Sequence, residues 1–401
     1  MLDYTIFGES HGPAVGVLVT GAAPGLPVDR EIIARELERR APGGPLATAR
    51  HEPDRLHILS GVYQGFTTGD PICLVLENRD TRSGDYEALR NKPRPGHADY
   101  AAWVRSGGHN DPRGGGAYSG RLTAPLVAAG AMVNAWLKEQ DIELKAQVID
   151  ENALRQQAAE AKADGDSVGG EIACTVTGLP AGLGGPGWRE AVESELARHL
   201  FAIPAVKALG FGDGAALAHM RGSRANDPLR TDGTCVRTVT NHNGGINGGV
   251  TNGMPLTFTV TFKPTPSIAL PQDTVDLSRM ENCTVAVTGR HDPCIALRAA
   301  PIVEAAADLA LWRVLDPRGG DLKSLRLQLD DVDRQLVGLL VRRQELSRDI
   351  GAYKAAHGLP VRDPEREAQV LRSRGDLAPE HRAEVGRLYE TLMALSREQQ
   401  S

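Results

Sequence analysis

Three short stretches set a histidine beside a glycine turn and another polar or ionisable group. Gly8-Glu9-Ser10-His11-Gly12 lies between apolar runs at 4–7 and 15–19. Arg94-Pro95-Gly96-His97-Ala98-Asp99-Tyr100 places His97 directly after a Pro-Gly turn, and Thr288-Gly289-Arg290-His291-Asp292-Pro293-Cys294 has Arg, His and Asp consecutive. Imidazole titrates near neutrality, so each histidine can give or take a proton. A strand-end histidine satisfied by backbone has the same local sequence, and one pentapeptide does not decide between them. Anion-binding features surround the three. Arg39-Arg40 precede a Pro-Gly loop, where they can hold an oxyanion or simply favour a helix C-terminus. Asn110–Gly116 leads through Ala117–Arg121 into an apolar helix, and a Gly-rich loop entering a helix turns free N–H groups toward a ligand. Lys263-Pro264-Thr265-Pro266-Ser267 ends a strand with one cation and two hydroxyls. There is no Walker loop, dinucleotide fingerprint, metal-ligand spacing or nucleophile elbow. These residues point to a polyanionic small molecule handled by two or more proton-transfer groups, without naming the reaction.

Asp29 caps a helix through about Arg40. Residues 56–59, 61–63 and 71–76 read as strands, as do 171–177 (Ile172, Cys174 and Val176 on one face) and 256–262. Leu122–Leu137 is too short and too rich in Ala and Gly to span a membrane and reads as a buried helix. Ala299–Leu315 is another helix, and 141–163, charged and Ala-rich, reads as peripheral. Gly8 and Gly12 suit positive φ. A net charge of −6 over 401 residues argues against nucleic-acid binding. Five scattered cysteines without a Cys-x-x-Cys pair fit a reducing cytoplasm, and no signal peptide is seen. All but five of the 45 glycines lie before residue 321, so a different kind of structure is expected after it.

Together the stretches GESHG (8–12), RPGHADY (94–100), RGGGAYSGRLTAPLVAAGA (113–131), GDSVGG (165–170), AIPAVK (202–207), NHNGGINGGVTNGMP (241–255), FKPTPSI (262–268) and GRHDPC (289–294) resemble the chorismate synthase family, in order over nearly all of 5–315. The resemblance implies elimination of phosphate from 5-enolpyruvylshikimate 3-phosphate, with reduced FMN (FMNH2) as a cofactor that is not consumed. It implies His97 as the acid for the departing phosphate, His11 as the residue protonating the flavin, and Asp292 as the group assisting flavin N5. Ser10 and Ser119 support them. Arg40, Arg94, Arg121 and Arg290 correspond to guanidiniums on the phosphate and carboxylates. Ser119, Gly248, Lys263, Thr265, Ser267 and Arg290 correspond to the flavin contacts. The source of flavin reduction, NADPH through the chain itself or an external donor, stays open.

Beyond a short linker (316–320) the pattern turns helical. Leu325, Leu329, Val332, Leu336, Leu339, Leu340, Leu346 and Ile350 form a stripe to about Ala356. A helix of roughly 50 Å cannot bury that stripe inside one small unit, so a helical dimer is expected. Asp363 caps a second helix with Pro364 at its first position, and Pro379 opens a third. Residues 325–372 resemble the all-helical chorismate mutase family. The resemblance implies Arg326 (from a partner subunit) and Arg343 as carboxylate clamps, Lys354 and Gln400 as donors to the ether oxygen, and Asp363, Arg366, Glu367 and Ser396 around them. The expected fold is α+β: a β-α-β sandwich at 1–315 and a three-helix, all-α mutase domain at 321–401 that pairs as a dimeric bundle. The expected protein is a cytoplasmic, bifunctional homotetramer without metal, converting 5-enolpyruvylshikimate 3-phosphate to chorismate and chorismate to prephenate. The rival reading is a monofunctional synthase whose tail senses a metabolite or only oligomerises.

Overall fold

Apolar residues alternate along Ala14–Thr20 and Ile72–Glu77, and the inward sets, Val15, Val17, Val19 and Ile72, Leu74, Leu76, are fully buried. Period-two alternation puts one set on one face of a strand. These are β2 and β6 of an antiparallel sheet in the order β1-β2-β6-β3, with β1 at Asp3–Gly8 and β3 at Leu56–Ser60. A small hairpin, β4 (Val62–Tyr63) and β5 (Phe66–Thr67), joins β3 to β6. The computed structural model describes residues 2–47, 52–80, 90–287, 291–315 and 322–400, with no side chain described at 322–332, 334, 335 or 400.

A second antiparallel sheet, β7-β8-β14-β9, uses Glu143–Val148, Gly170–Thr177, Leu256–Phe262 and Val206–Phe211. Its core face carries Ile172, Cys174, Val176, Leu256, Phe258, Val260 and Phe262. Between β9 and β14 come the hairpins β10–β11 (Leu229–Thr231, Val236–Thr238) and β12–β13 (Ile246–Asn247, Val250–Thr251); β15–β16 (Gln272–Asp276, Glu281–Val285) follows. Residues 141–163 are not peripheral, contrary to the sequence reading. They form β7 and α4 (Glu151–Ala163), which bury Leu144, Leu154 and Ala158 against the core while their charges face out.

Helices α3 (Thr123–Lys138), α5 (Val192–Leu200) and α7 (Ala300–Leu315) pack against the sheets, and α1 (Arg30–Arg40) packs on α3 and α7. The other helices of the unit are α2 (Asp99–Ser106) and a single turn, α6 (Gly222–Ala225). Asp29 Oδ1 accepts from the N–H groups of Glu31 and Ile32 and so starts α1. Helix α3 touches β2 and β6 on one side and β7 on the other, and crosses α7 closely. At that crossing a Cβ on Gly130 would lie 2.3 Å from the Ala305 Cβ, so only glycine fits. This unit spans Met1–Asp316.

The α3–α7 contact buries Asp308, 2% exposed. Asn134 Nδ2 donates to its Oδ2 at 3.0 Å, while Oδ1 finds no partner among the described residues. Burial pushes this carboxyl well above the ordinary value of 3.8. The folded state therefore keeps a proton that the unfolded state releases, and stability falls as pH rises above that value. In an Asp308→Asn variant that loss is absent. Chemical denaturation at about pH 4 and about pH 8 should show the variant gaining on the parent at the higher pH; an equal difference at both pH values contradicts a protonated Asp308.

The second unit, Pro317–Ser401, is all helical. Helix α8 (Leu322–Ala356) packs on α10 (Arg382–Gln400), which also packs on α9 (Pro364–Gly375). Asp363 Oδ1 accepts from Arg366 N at 3.0 Å, with Pro364 in the first turn, so the expected cap forms. Among the described residues no helix is long and apolar enough to cross a membrane.

Candidate active sites

A cavity of about 600 Å³ opens in the first unit. Among the described residues, six cationic side chains line it, Arg40, Arg94, Arg121, Lys207, Lys263 and Arg298, against three carboxylates, Glu52, Asp54 and Asp292. That excess suits a ligand with several negative charges. Helix α1 ends at the cavity, and its last two residues part company there. Arg39 turns to Glu36 and Glu304, whereas Arg40 is buried at the cavity. Neighbouring helix positions face about 100° apart, so only one of the pair can enter. Arg40 Nη1 lies 3.3 Å from Asp54 Oδ2, and Arg121 Nη1 holds the other Asp54 oxygen. Arg121 Nε also donates to Asn78 Oδ1 at 2.9 Å. Burial, then the nearby Arg298 guanidinium, push Arg40 down from the ordinary arginine value, and Asp54 opposes them.

The turn ahead of α2 carries the second feature. His97 Nδ1 lies 2.6 Å from Asp99 Oδ1. Arg94 grips the same carboxylate through Nε (2.7 Å) and Nη2 (2.9 Å), and donates through Nη1 to Ser267 Oγ at 3.0 Å. Burial works against the Asp99 charge, but hydrogen bonds from Arg94 and His97 outweigh it and hold the carboxyl well below the usual carboxylate range. An ionised carboxylate only accepts, so Nδ1 of His97 carries its proton and Nε2 is left for chemistry. Arg94 is thus a brace for the His97–Asp99 pair as well as a cation at the cavity.

Gly114, Gly115 and Gly116 all have positive φ (+59°, +84°, +54°), which side chains rarely adopt. A Cβ on Gly114 would stand 2.7 Å from His11 Cδ2, and one on Gly115 3.0 Å from His97 Cε1. The glycine run therefore lets both histidines approach the backbone. Ser10 is buried and lines the cavity; His11 packs behind Gly114 and is not among the lining residues. Gly8 has φ +97°, but Gly12 is outside the left-handed region, so the expectation of positive φ fails for Gly12. Ser119 lines the cavity and accepts from Arg121 N. Lys263, Thr265 and Ser267 share one wall; Lys263 Nζ donates to Gly96 O. Gly248 sits in the β12–β13 turn, outside the lining. Asp292 Oδ2 accepts from Arg298 Nη2 at 2.7 Å. Arg290 lies outside the described residues.

In the helical unit Arg343 Nη1 donates to Ser396 Oγ (2.5 Å) and Leu392 O (2.9 Å), and Ser347 Oγ donates to Ser396 Oγ at 3.1 Å. Lys354 Nζ donates to Val361 O at 2.7 Å. Glu367 pairs with Arg397 at 2.7 Å, and Arg366 donates to Gln369. Arg343 and Ser396 are therefore brought together, while Asp363, Arg366 and Glu367 share the first turn of α9. The side chains of Arg326 and Gln400 lie outside the described ones.

The profile of the chorismate synthase family matches residues 2–315. The chain belongs to the chorismate synthase family. A chorismate synthase of Aeropyrum pernix is 48% identical, with 78% of this chain and 90% of that protein covered. One from Thermococcus kodakarensis is 47% identical over 76% of this chain and 93% of its own length. A crystal structure of chorismate synthase shares the fold, with a TM-score of 0.62 at 24% identity, covering 82% of this chain and 97% of that one. The chorismate mutase type II profile matches 325–401, so the synthase domain is followed by a mutase domain.

Several lining residues of the synthase cavity escaped the sequence reading. Asp54, shared by two buried guanidiniums, stands in a stretch of sequence with no periodic signal. Arg298 did leave a trace: a cation just ahead of a helix N-terminus is unfavourable unless paired, and here Asp292 pairs it. Lys207 ends the AIPAVK stretch at the cavity wall.

Proposed function

We propose that the two units catalyse consecutive reactions, phosphate elimination from 5-enolpyruvylshikimate 3-phosphate to chorismate and rearrangement of chorismate to prephenate. The match of both family profiles in one chain supports two activities over a tail that only senses or oligomerises. The single geometric support for the first is the cation-rich cavity with the His97–Asp99 pair in its wall. A substrate with one phosphate and two carboxylates meets Arg40, Arg121 and Arg94, whose planar forks suit oxyanions. His97 Nε2 delivers a proton to the departing phosphate, and Asp99 stabilises the imidazolium. Asp292 lines the cavity with its Oδ2 held by Arg298, and its role is to assist N5 of the flavin, the acceptor for the proton lost from C6. Ser10 and Ser119 order the turns beside these groups, and His11 takes part from behind Gly114.

Thr265 Oγ1 is buried with no partner among the described residues, on the wall that also carries Lys263 and Ser267. An orphaned hydroxyl beside a lysine fits a polar, anionic cofactor. Reduced FMN is the cofactor proposed, with Lys263, Thr265, Ser267 and Ser119 holding it and Arg290 and Gly248 as further contacts. When bound it supplies transient electron density that helps phosphate leave. Anaerobic assay with photoreduced FMN should release phosphate, and oxidised FMN should not; equal turnover without any flavin overturns the cofactor reading. Adding NADPH alone then tells whether reduction is intrinsic.

The mutase reaction is pericyclic and needs only a clamp on the compact conformer and donors where charge builds on oxygen. Arg343, Lys354 and Gln400 supply these, with Arg326 of the partner subunit. Leu336, Val337, Leu339, Leu346, Ile350 and Tyr353 on α8 are at least half exposed, which supports pairing of mutase domains; a homotetramer containing such pairs is the assembly proposed. All five cysteines are free, in keeping with the cytoplasm.

A further inference from the structure

One polar side chain in the synthase cavity has no task in the scheme above. His291 lines the cavity, and its Nε2 is buried with no hydrogen-bond partner among the described residues. A buried polar atom left unpaired is costly, and native structures seldom keep one without use. The backbone just past His291 is fixed. Val168 N donates to Pro293 O at 2.8 Å, and the buried Cys294 Sγ lies 3.6 Å from Gly169 O. His291 is thus presented to the cavity from an anchored segment. Its charged and titratable neighbours are Arg94, His97 and Asp292.

We propose that His291 contacts the substrate, donating a hydrogen bond from Nε2 to the phosphate group beside Arg94 and His97. Burial, then the Arg94 guanidinium, push its imidazole down from 6.5 to about 4, with Asp292 opposing. At neutral pH the ring is uncharged. It therefore adds a directed donor to a cavity already rich in cations, and leaves acid catalysis to His97. The inference rests on the phosphate-elimination reading, and the two fail differently. Activity that survives His97→Ala removes the reading itself, whereas wild-type kinetics in His291 variants beside a dead His97→Ala remove only this inference.

The test is steady-state kinetics of the full chain with 5-enolpyruvylshikimate 3-phosphate and saturating reduced FMN. His291→Ala should raise KM about tenfold or more, as the loss of one buried hydrogen bond implies. His291→Gln, whose amide N–H reaches a similar point, should recover most of that loss and keep both limbs of the wild-type pH profile of kcat/KM. Without ligand, the Ala variant should melt with the parent, because it gives up no internal hydrogen bond at Nε2. Should the Ala variant not fold, His291→Asn, one methylene shorter than Gln, takes its place and should raise KM. A KM within twofold of the parent in the Ala or Asn variant overturns the proposal. So does a His291→Gln enzyme that lacks a pH limb near neutrality, since the imidazole would then be moving a proton.

Discussion

His97→Ala should lower chorismate formation by two orders of magnitude or more and leave prephenate formation from added chorismate unchanged. A positioned acid contributes about 10²–10⁴ to such a step. His97 is positioned twice, by Asp99 at 2.6 Å and by the glycine turn against its ring. Without it the phosphate departs unprotonated. Asp99→Asn should give an intermediate loss, because an amide can turn its N–H toward Nδ1 and reverse the tautomer. Arg343→Ala should do the opposite and remove only the mutase activity. Arg343 also holds Ser396 and Leu392 O, so Arg343→Lys is the companion variant: it keeps the charge and loses the fork. Phosphate release and prephenate absorbance on each purified variant read the two sites separately. If one change removes both activities from a folded chain, the two-site account is wrong.

Asp54→Ala should be the most damaging change to stability in the synthase unit. Arg40 and Arg121 are 4% exposed and Asp54 7%. Removing the shared carboxylate leaves two guanidiniums buried side by side, and breaking such a pair costs about 3–5 kcal/mol. A further consequence distinguishes this from ordinary loss of packing. An anion entering the cavity can replace the missing charge, and anything that binds only the folded state stabilises it. Inorganic phosphate should therefore raise the melting temperature of Asp54→Ala more than that of the parent. Equal shifts in the two proteins, or a parent-like stability for the variant, contradict the assignment of Asp54 as their counter-ion.

What the sequence made legible follows from local rules. The cap at Asp29, the alternation in β8, the apolar α3 and the Asp363-Pro364 start of α9 each depend on residues within a few positions of one another. So did the presence of His97 and Asp99 in one turn. The structure adds pairings that span the chain. Asp54 meets Arg121 across 67 positions, and Arg94 meets Ser267 across 173. No short-range pattern carries such information. The strand β9 was illegible for another reason: Val206–Phe211 has only Val206 fully buried and holds a glycine, so its alternation is weak. His11 was legible as a histidine at a turn, yet its place behind Gly114 rather than on the cavity surface depends on the conformation of three glycines.

The most direct measurement gives the purified chain 5-enolpyruvylshikimate 3-phosphate and reduced FMN under anaerobic conditions and follows products with time. The account predicts one phosphate released for each prephenate formed, with no second protein added. Chorismate accumulating in step with phosphate, and no prephenate, would contradict it.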